Sequence, residues 1–224
     1  MTDVYIVQKL ENNKDIIVNV PGSKSITNRA LMLAALSDGE CNLDGVLFSD
    51  DSRAFLDCLE KLGFQLFIDE NEKRVKVVGT SGKIPNRKAT IDVRSAGTAA
   101  RFLTVMLAVT GGEYTLNSSE QMKKRPMGEI IDLLRNAGVK ISCLEEEGHF
   151  PFIISSNGLD KKEVSINTDT SSQYASALLM AAVMTGLKIK LTGKRVNGAY
   201  IKITLNMLKQ FGIKYIQAEE NKYN

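Results

Sequence analysis

Residues 20–36 read VPGSKSITNRALMLAAL, a run in which a glycine, a lysine and two serines stand where a strand hands over to a helix. A nucleotide phosphate loop needs a glycine, four residues, then Gly-Lys-Ser/Thr, so that consecutive backbone N–H groups wrap a triphosphate. Here Lys24 follows Ser23, and Ile17 and Val18 stand where the first glycine is required. That loop is excluded. What remains is another kind of anion cradle, opening a helix that is apolar at nearly every position and therefore buried on all sides.

The same pattern returns twice. Polar, small-residue clusters open apolar helices in SITNRALMLAAL from Ser25, GTAARFLTVMLA from Gly97 and SQYASALLMAAV from Ser172, at offsets of 97 − 25 = 72 and 172 − 97 = 75. A second, amphipathic helix ends each time in Leu-x-x-x-Gly, with Gly63, Gly138 and Gly212 spaced 75 and 74 residues apart. Two markers at one period predict a structural repeat. Each unit reads strand, helix, strand, helix, hairpin. First strands are DIIVNV (15–20), KATIDV (88–93) and EVSIN (163–167); second strands are CNLDGVL (41–47), EYTLN (113–117) and LKIKLT (187–192). The hairpins are FQLFIDENEKRVKVV (64–78) and VKISCLEEEGHFPFII (139–154), which alternate around charged turns. The three glycines are predicted helix C-caps with positive φ. The expected domain has helices inside and sheets around them. Residues 213–224, IKYIQAEENKYN, supply one hairpin strand and a turn with no return strand, so the chain reads as a piece of something longer.

Composition bounds the function. A 224-residue chain that is 43% hydrophobic and 25% charged can build one large globular domain or two small ones. Its formal charge of +3 comes from Lys and Arg spread along the chain, which excludes nucleic acid as the main partner but suits a small anion. Three cysteines without paired spacing imply reduced thiols in the cytoplasm, and a single His149, in a turn, excludes a histidine-based metal centre. No apolar run reaches the ~20 residues that span a bilayer.

Chemistry concentrates at the helix starts, where free N–H groups and the positive dipole end attract anions. At the first, Ser25 and Arg29 share a face and Lys24 stands just ahead. Gly97, at the second, lets an anion approach the backbone, with Thr98 and Arg101 beside it. At the third, Ser171, Ser172 and Gln173 offer donors suited to phosphate oxygens. The loop SSEQMKKRPMG (118–128) adds Lys123, Lys124 and Arg125. Convergence of the three starts at one end would make a polyanion site.

The segments PGSKSITNRALMLAAL, SAGTAARFL, RPMGEIIDLLRNAG and SSQYASALLMAA strongly resemble the 5-enolpyruvylshikimate-3-phosphate synthases, and the likeness runs in order along the whole chain. The resemblance implies an α/β fold, an inside-out α/β barrel domain of three βαβαββ repeats with buried parallel helices and outer sheets. It makes this chain the N-terminal half. Residues 15–224 form that domain (units near 15–85, 86–157 and 158–224, the last incomplete), and 1–14 associate with the missing second domain. The implied reaction joins phosphoenolpyruvate to the 5-hydroxyl of shikimate 3-phosphate without cofactor or metal. Lys24 would touch both substrates and stabilise developing charge, with the general base in the other half. Ser25 and Arg29 would hold the shikimate carboxylate and a hydroxyl, and Ser171 and Ser172 the 3-phosphate. Gln173 would lie against the ring and reach phosphoenolpyruvate, which Gly97 and Arg125 also bind; Tyr200 would close the shikimate site.

Two positions depart from the family pattern. Ser95 stands where the family commonly has Asn, and Asn197-Gly198-Ala199-Tyr200 replaces the usual Ser-x-Pro-Tyr, leaving Asn197 as the phosphate donor there. Arg101 matches a family arginine that braces the loop. Competing readings are a non-catalytic anion-binding module of the same fold and the sister transferase acting on UDP-N-acetylglucosamine. The latter pairs its first lysine with Asn, whereas Lys24 precedes Ser25, and 118–128 lacks the Cys many of its members carry. The implied partners are the two substrates and the C-terminal domain, with no nucleic acid and no membrane.

Overall fold

The computed structural model describes residues 20–219 and 221–223. It is a mixed α/β fold in which one strand order recurs. The first unit comprises α1 (Lys24–Leu36), β1 (Asp38–Asp44), α2 (Asp50–Lys61), β2 (Leu66–Asp69) and β3 (Arg74–Thr80). The second runs β4 (Lys88–Asp92), α3 (Gly97–Thr110), β5 (Gly112–Asn117), α4 (Glu120–Lys123), α5 (Gly128–Asn136), β6 (Lys140–Cys143) and β7 (Phe152–Ser156). The third has β8 (Glu163–Asn167), α6 (Ser172–Ala181), β9 (Lys188–Thr192), α7 (Ala199–Gln210), β10 (Gln217–Glu219) and β11 (Lys222–Tyr223).

The second and third sheets share a topology, β4-β5-β7-β6 and β8-β9-β11-β10, and the first matches them in its order β1-β3-β2. In each of the two larger sheets the first pair of strands is parallel and joined by a helical crossover, while the hairpin strands pair antiparallel. Buried residues align across these ladders. Val164 lies opposite Ile189, Ile166 opposite Leu191, and Leu116 joins Ile91 to Phe152, so one face of each sheet is apolar throughout.

That face meets the buried helices. Every residue of α3 from Gly97 to Val109 is buried, as is α6 from Tyr174 to Ala181, and α1 is buried from Thr27 onward except at half-buried Ala30. The outer helices α2, α5 and α7 bury one stripe each. Gly63, Gly138 and Gly212 take φ of +88°, +98° and +72°. Each sits in the same double bond pattern, seen at the first as Phe64 N–H to Leu59 O and Gly63 N–H to Glu60 O, which satisfies the last carbonyls of the helix.

Three expectations are corrected. The strand expected over 41–47 covers Asp38–Asp44, because Gly45 at φ +70° turns the chain out of the ladder. Residues 213–224 do include a return strand: Lys222–Tyr223 pairs with both Gln217–Glu219 and β9, a segment too short for alternation to reveal. The segment 118–128 contains α4, started by Ser119, whose hydroxyl accepts from Met122 N–H. The strand expected over 15–20 falls, except for Val20, outside the described residues. Among the described residues no helix is long and apolar enough to cross a membrane.

Candidate anion-binding site

The buried helices start at one end of the domain, and Arg29 ties them together. It is 1% exposed. Its Nε donates to Thr204 Oγ1 (2.8 Å) on α7, Nη1 to the carbonyl of Ser25 (2.7 Å) on α1, and Nη2 to Ser176 Oγ (3.0 Å) on α6. The guanidinium also lies 5.3 Å from the Phe102 ring centroid on α3 and 5.8 Å from that of Tyr200. The first two turns of four helices therefore meet at this side chain. Three of its five N–H donors are committed, and among the described residues no carboxylate pairs with it. Burial pulls its pKa down to about 10, a shift the nearby Tyr200 partly opposes.

Three of these helices, α1, α3 and α7, begin without a side-chain cap. At α1 the N–H groups of Ile26 and Thr27 both reach Ser23 O, leaving those of Lys24 and Ser25 without a partner among the described residues. At α3 the cap is Ala96, and the N–H groups of Gly97 and Thr98 are likewise unpaired there. Such orphan donors suit a ligand anion. Gly97 is held close under two cations: a Cβ at this position would lie 2.9 Å from the Nη1 atoms of both Arg101 and Arg125. A side chain there would push them away.

Arg101 and Arg125 also line an open cleft of about 320 Å³ with Ser171, Ser172, Gln173 and Arg195. Arg101 is 9% exposed, donates to Gly97 O (2.9 Å), and its buried Nε has no partner among the described residues. Arg125 and Arg195 form no ion pair there either. Among the described residues no carboxylate lines the cleft. On its floor Tyr174 donates to Pro126 O (2.8 Å), and burial pushes its pKa up while Arg101 pulls it the other way. Ser171 caps α6, its hydroxyl accepting from Gln173 N–H (3.2 Å). Three arginines and a serine pair at a helix start thus share one cleft, a set whose chemistry suits an anion.

The structure thus gathers Arg125, Ser171, Ser172 and Gln173 around one cleft, sets Gly97 beside Arg101 and Arg125, and groups Ser25 and Tyr200 around Arg29. Lys24 lines neither; it is exposed and paired with Asp51 of α2 at 3.2 Å. Tyr200 is 50% exposed over Arg29, and Asn197 is exposed and away from the cleft wall. Lys123 is held by Glu120 and Glu145, so the basic run 123–125 offers only Arg125 to the cleft. Sequence reasoning missed Arg195. The signal available was its place in a strand-to-helix loop at the end of the sheet where all the helix starts lie.

Comparison with known proteins gives the family and the fold. The family model for EPSP synthase (3-phosphoshikimate 1-carboxyvinyltransferase) matches residues 9–224. The chain belongs to the EPSP synthase family. It is 36% identical over 224 residues to a 3-phosphoshikimate 1-carboxyvinyltransferase of Trichormus variabilis, covering 99% of this chain and 53% of the relative. It is 43% identical over 208 residues to one from Neisseria meningitidis serogroup B, covering 91% and 47%. A solved EPSP synthase from Acinetobacter baumannii superposes with a TM-score of 0.78 at 25% identity, over 92% of this chain and 45% of that one. The chain spans about half the length of the relatives it matches. Within this EPSP synthase family chain, Ser95 finds a local role: its hydroxyl pairs with that of Ser119 at 2.7 Å, joining the loop before α3 to the segment that carries Arg125.

Proposed function

We propose that the full-length protein transfers the enolpyruvyl group of phosphoenolpyruvate to the 5-hydroxyl of shikimate 3-phosphate in the cytoplasm, and that this chain is the wall that binds shikimate 3-phosphate. The observation that carries this reading is the α6 start: Ser171, Ser172 and Gln173 share a cleft with three arginines and, among the described residues, no carboxylate. Both substrates are small polyanions with little apolar surface, which such a cleft matches. Ser171 and Ser172 hold the 3-phosphate, and Gln173 lies along the ring. Gly97 and Arg125 take phosphoenolpyruvate. Arg29, buried without a counter-charge, offers its two uncommitted N–H groups to the shikimate carboxylate together with Ser25, under Tyr200.

In the reaction the 5-hydroxyl attacks C2 of the enolpyruvate as C3 gains a proton, and the tetrahedral intermediate then expels phosphate. Lys24 stabilises charge on the departing phosphate. Its ion pair with Asp51 is half exposed and therefore weak, so exchanging that carboxylate for a substrate costs little. We assign the proton-transferring base to a second, C-terminal domain, which closes on this one and excludes water. The recurring strand order and the three buried helices support an inside-out α/β barrel of three βαβαββ units; the expectation for residues 1–14 lies outside the described residues.

A phosphate-release assay tests the assignment. With both substrates, the full-length protein releases phosphate and this chain alone does not; adding the remaining half restores release. Sustained turnover by the chain alone would place the base here, and silence from the full-length protein would overturn the activity.

A further inference from the structure

Arg195 belongs to the cleft, yet the family pattern gives it no part. It sits in the connection between β9 and α7. Strands β8 and β9 are parallel, so the loops leading into α6 and α7 leave the sheet at the same end. Those two loops are fastened to each other by two hydrogen bonds. Thr168 N–H donates to Thr192 O (2.9 Å), and Lys194 N–H donates to Asp169 Oδ1 (2.9 Å). Gly198 N–H then closes a turn onto Arg195 O (2.9 Å). The backbone of Arg195 is thereby fixed beside Ser171 and Ser172, while its guanidinium has no hydrogen bond or ion pair among the described residues. Asn197, two residues on, is exposed and does not line the cleft.

The cations of the cleft also divide. Arg101 and Arg125 converge over Gly97, both within 2.9 Å of one point. Arg195 comes from the opposite strand-to-helix loop. A phosphate monoester carries nearly two charges and three acceptor oxygens, more than two serine hydroxyls and a helix start neutralise. A guanidinium fork fits two of those oxygens at once.

We infer that Arg195, in the β9–α7 loop, is a substrate-contacting residue, gripping the phosphate monoester seated at Ser171 and Ser172 in place of a contact from Asn197. The inference rests on the cleft being the shikimate 3-phosphate site. It makes Arg195 a determinant of selectivity for the phosphorylated over the unphosphorylated cyclohexene acid.

Calorimetric titration of this chain with shikimate 3-phosphate and, separately, with shikimate tests it, using Arg195→Gln, Arg195→Lys, Asn197→Ala and Ser172→Ala, each checked for an unchanged melting temperature. Arg195→Gln is expected to weaken shikimate 3-phosphate at least about tenfold, the loss for a charged hydrogen-bond partner. Shikimate affinity stays the same, Arg195→Lys recovers part of the loss, and Asn197→Ala changes nothing. Undiminished affinity in Arg195→Gln, with Ser172→Ala weakened, would overturn the role of Arg195 and leave the phosphate site standing. Equal loss for both ligands would show a structural role and overturn the inference. Failure of the parent chain to bind shikimate 3-phosphate would overturn the site and this inference together.

Discussion

Arg29 Nη2 donates to the hydroxyl of Ser176 at 3.0 Å, joining two helix starts 147 residues apart in the chain. The same guanidinium bonds Thr204, whose hydroxyl also donates to Ser176 Oγ (2.9 Å). A residue that reads in sequence as a ligand-facing charge is thus also the knot of the core at its functional end. Arg29→Ala should therefore cost stability, about 2–4 kcal/mol for a buried charge-assisted network and the cavity left behind. Arg29→Lys should cost less but still measurably, since a single ammonium cannot reach three acceptors in a fork. Denaturant unfolding of both variants measures this. Unchanged midpoints would mean that Arg29 is purely a ligand residue.

Lys24 is paired with Asp51 rather than aimed into the cleft. Asp51→Asn removes the competitor for that ammonium, so affinity for an added anion should rise by a few-fold, in keeping with the ~0.2–1 kcal/mol of an exposed ion pair. Titration with phosphoenolpyruvate reads the change. Lower affinity would show that Asp51 positions Lys24 instead of restraining it.

The three repeated glycines occupy one kind of helix end but different surroundings. A Cβ at Gly212 would meet nothing within 4 Å, whereas one at Gly138 would run into Asp160. Gly212→Ala should lose only the backbone cost of a positive φ, about 1–2 kcal/mol. Gly138→Ala adds a collision and should lose more. Chemical denaturation of the two variants gives the order, and equal losses would show that Asp160 swings away freely.

Alkaline stability should depend on Cys58. Burial pushes its thiol from 9.0 up to about 12, with Asp92 and Asp57 adding to the rise. Because the folded pKa lies above the unfolded one, the unfolded chain loses this proton first. The stability the neutral thiol provides is whole below pH 9 and is lost as pH climbs toward 12. The gap in melting temperature between the parent chain and Cys58→Ala should then shrink from pH 9 upward. A constant gap would mean that the thiol does not ionise on unfolding.

What sequence could reveal here followed from periodicity and from glycine. The all-apolar runs after Ser25, Gly97 and Ser172 read as buried helices, and Gly63, Gly138 and Gly212 as the ends of others, and the structure has both. The elements that escaped are too short to show a period: α4 has four residues and β11 two. The candidate cleft was legible where polar side chains and a helix start coincide in the chain, as at Ser171–Gln173. It was not legible where the third dimension decides. Nothing local says that Arg29 is enclosed by Phe102, Ser176 and Thr204, or that two parallel strands carry Arg195 to the wall and leave Asn197 outside it.

The central claim, that the α6 start is a phosphate site facing shikimate 3-phosphate, is tested most directly by one comparison. Titrating this chain with shikimate 3-phosphate, followed by NMR, should move the backbone amide signals of Ser171, Ser172 and Gln173 together, saturably, and shikimate without its phosphate should leave them in place. Equal shifts with both ligands, or saturable binding that moves other residues and spares these three, would contradict the account.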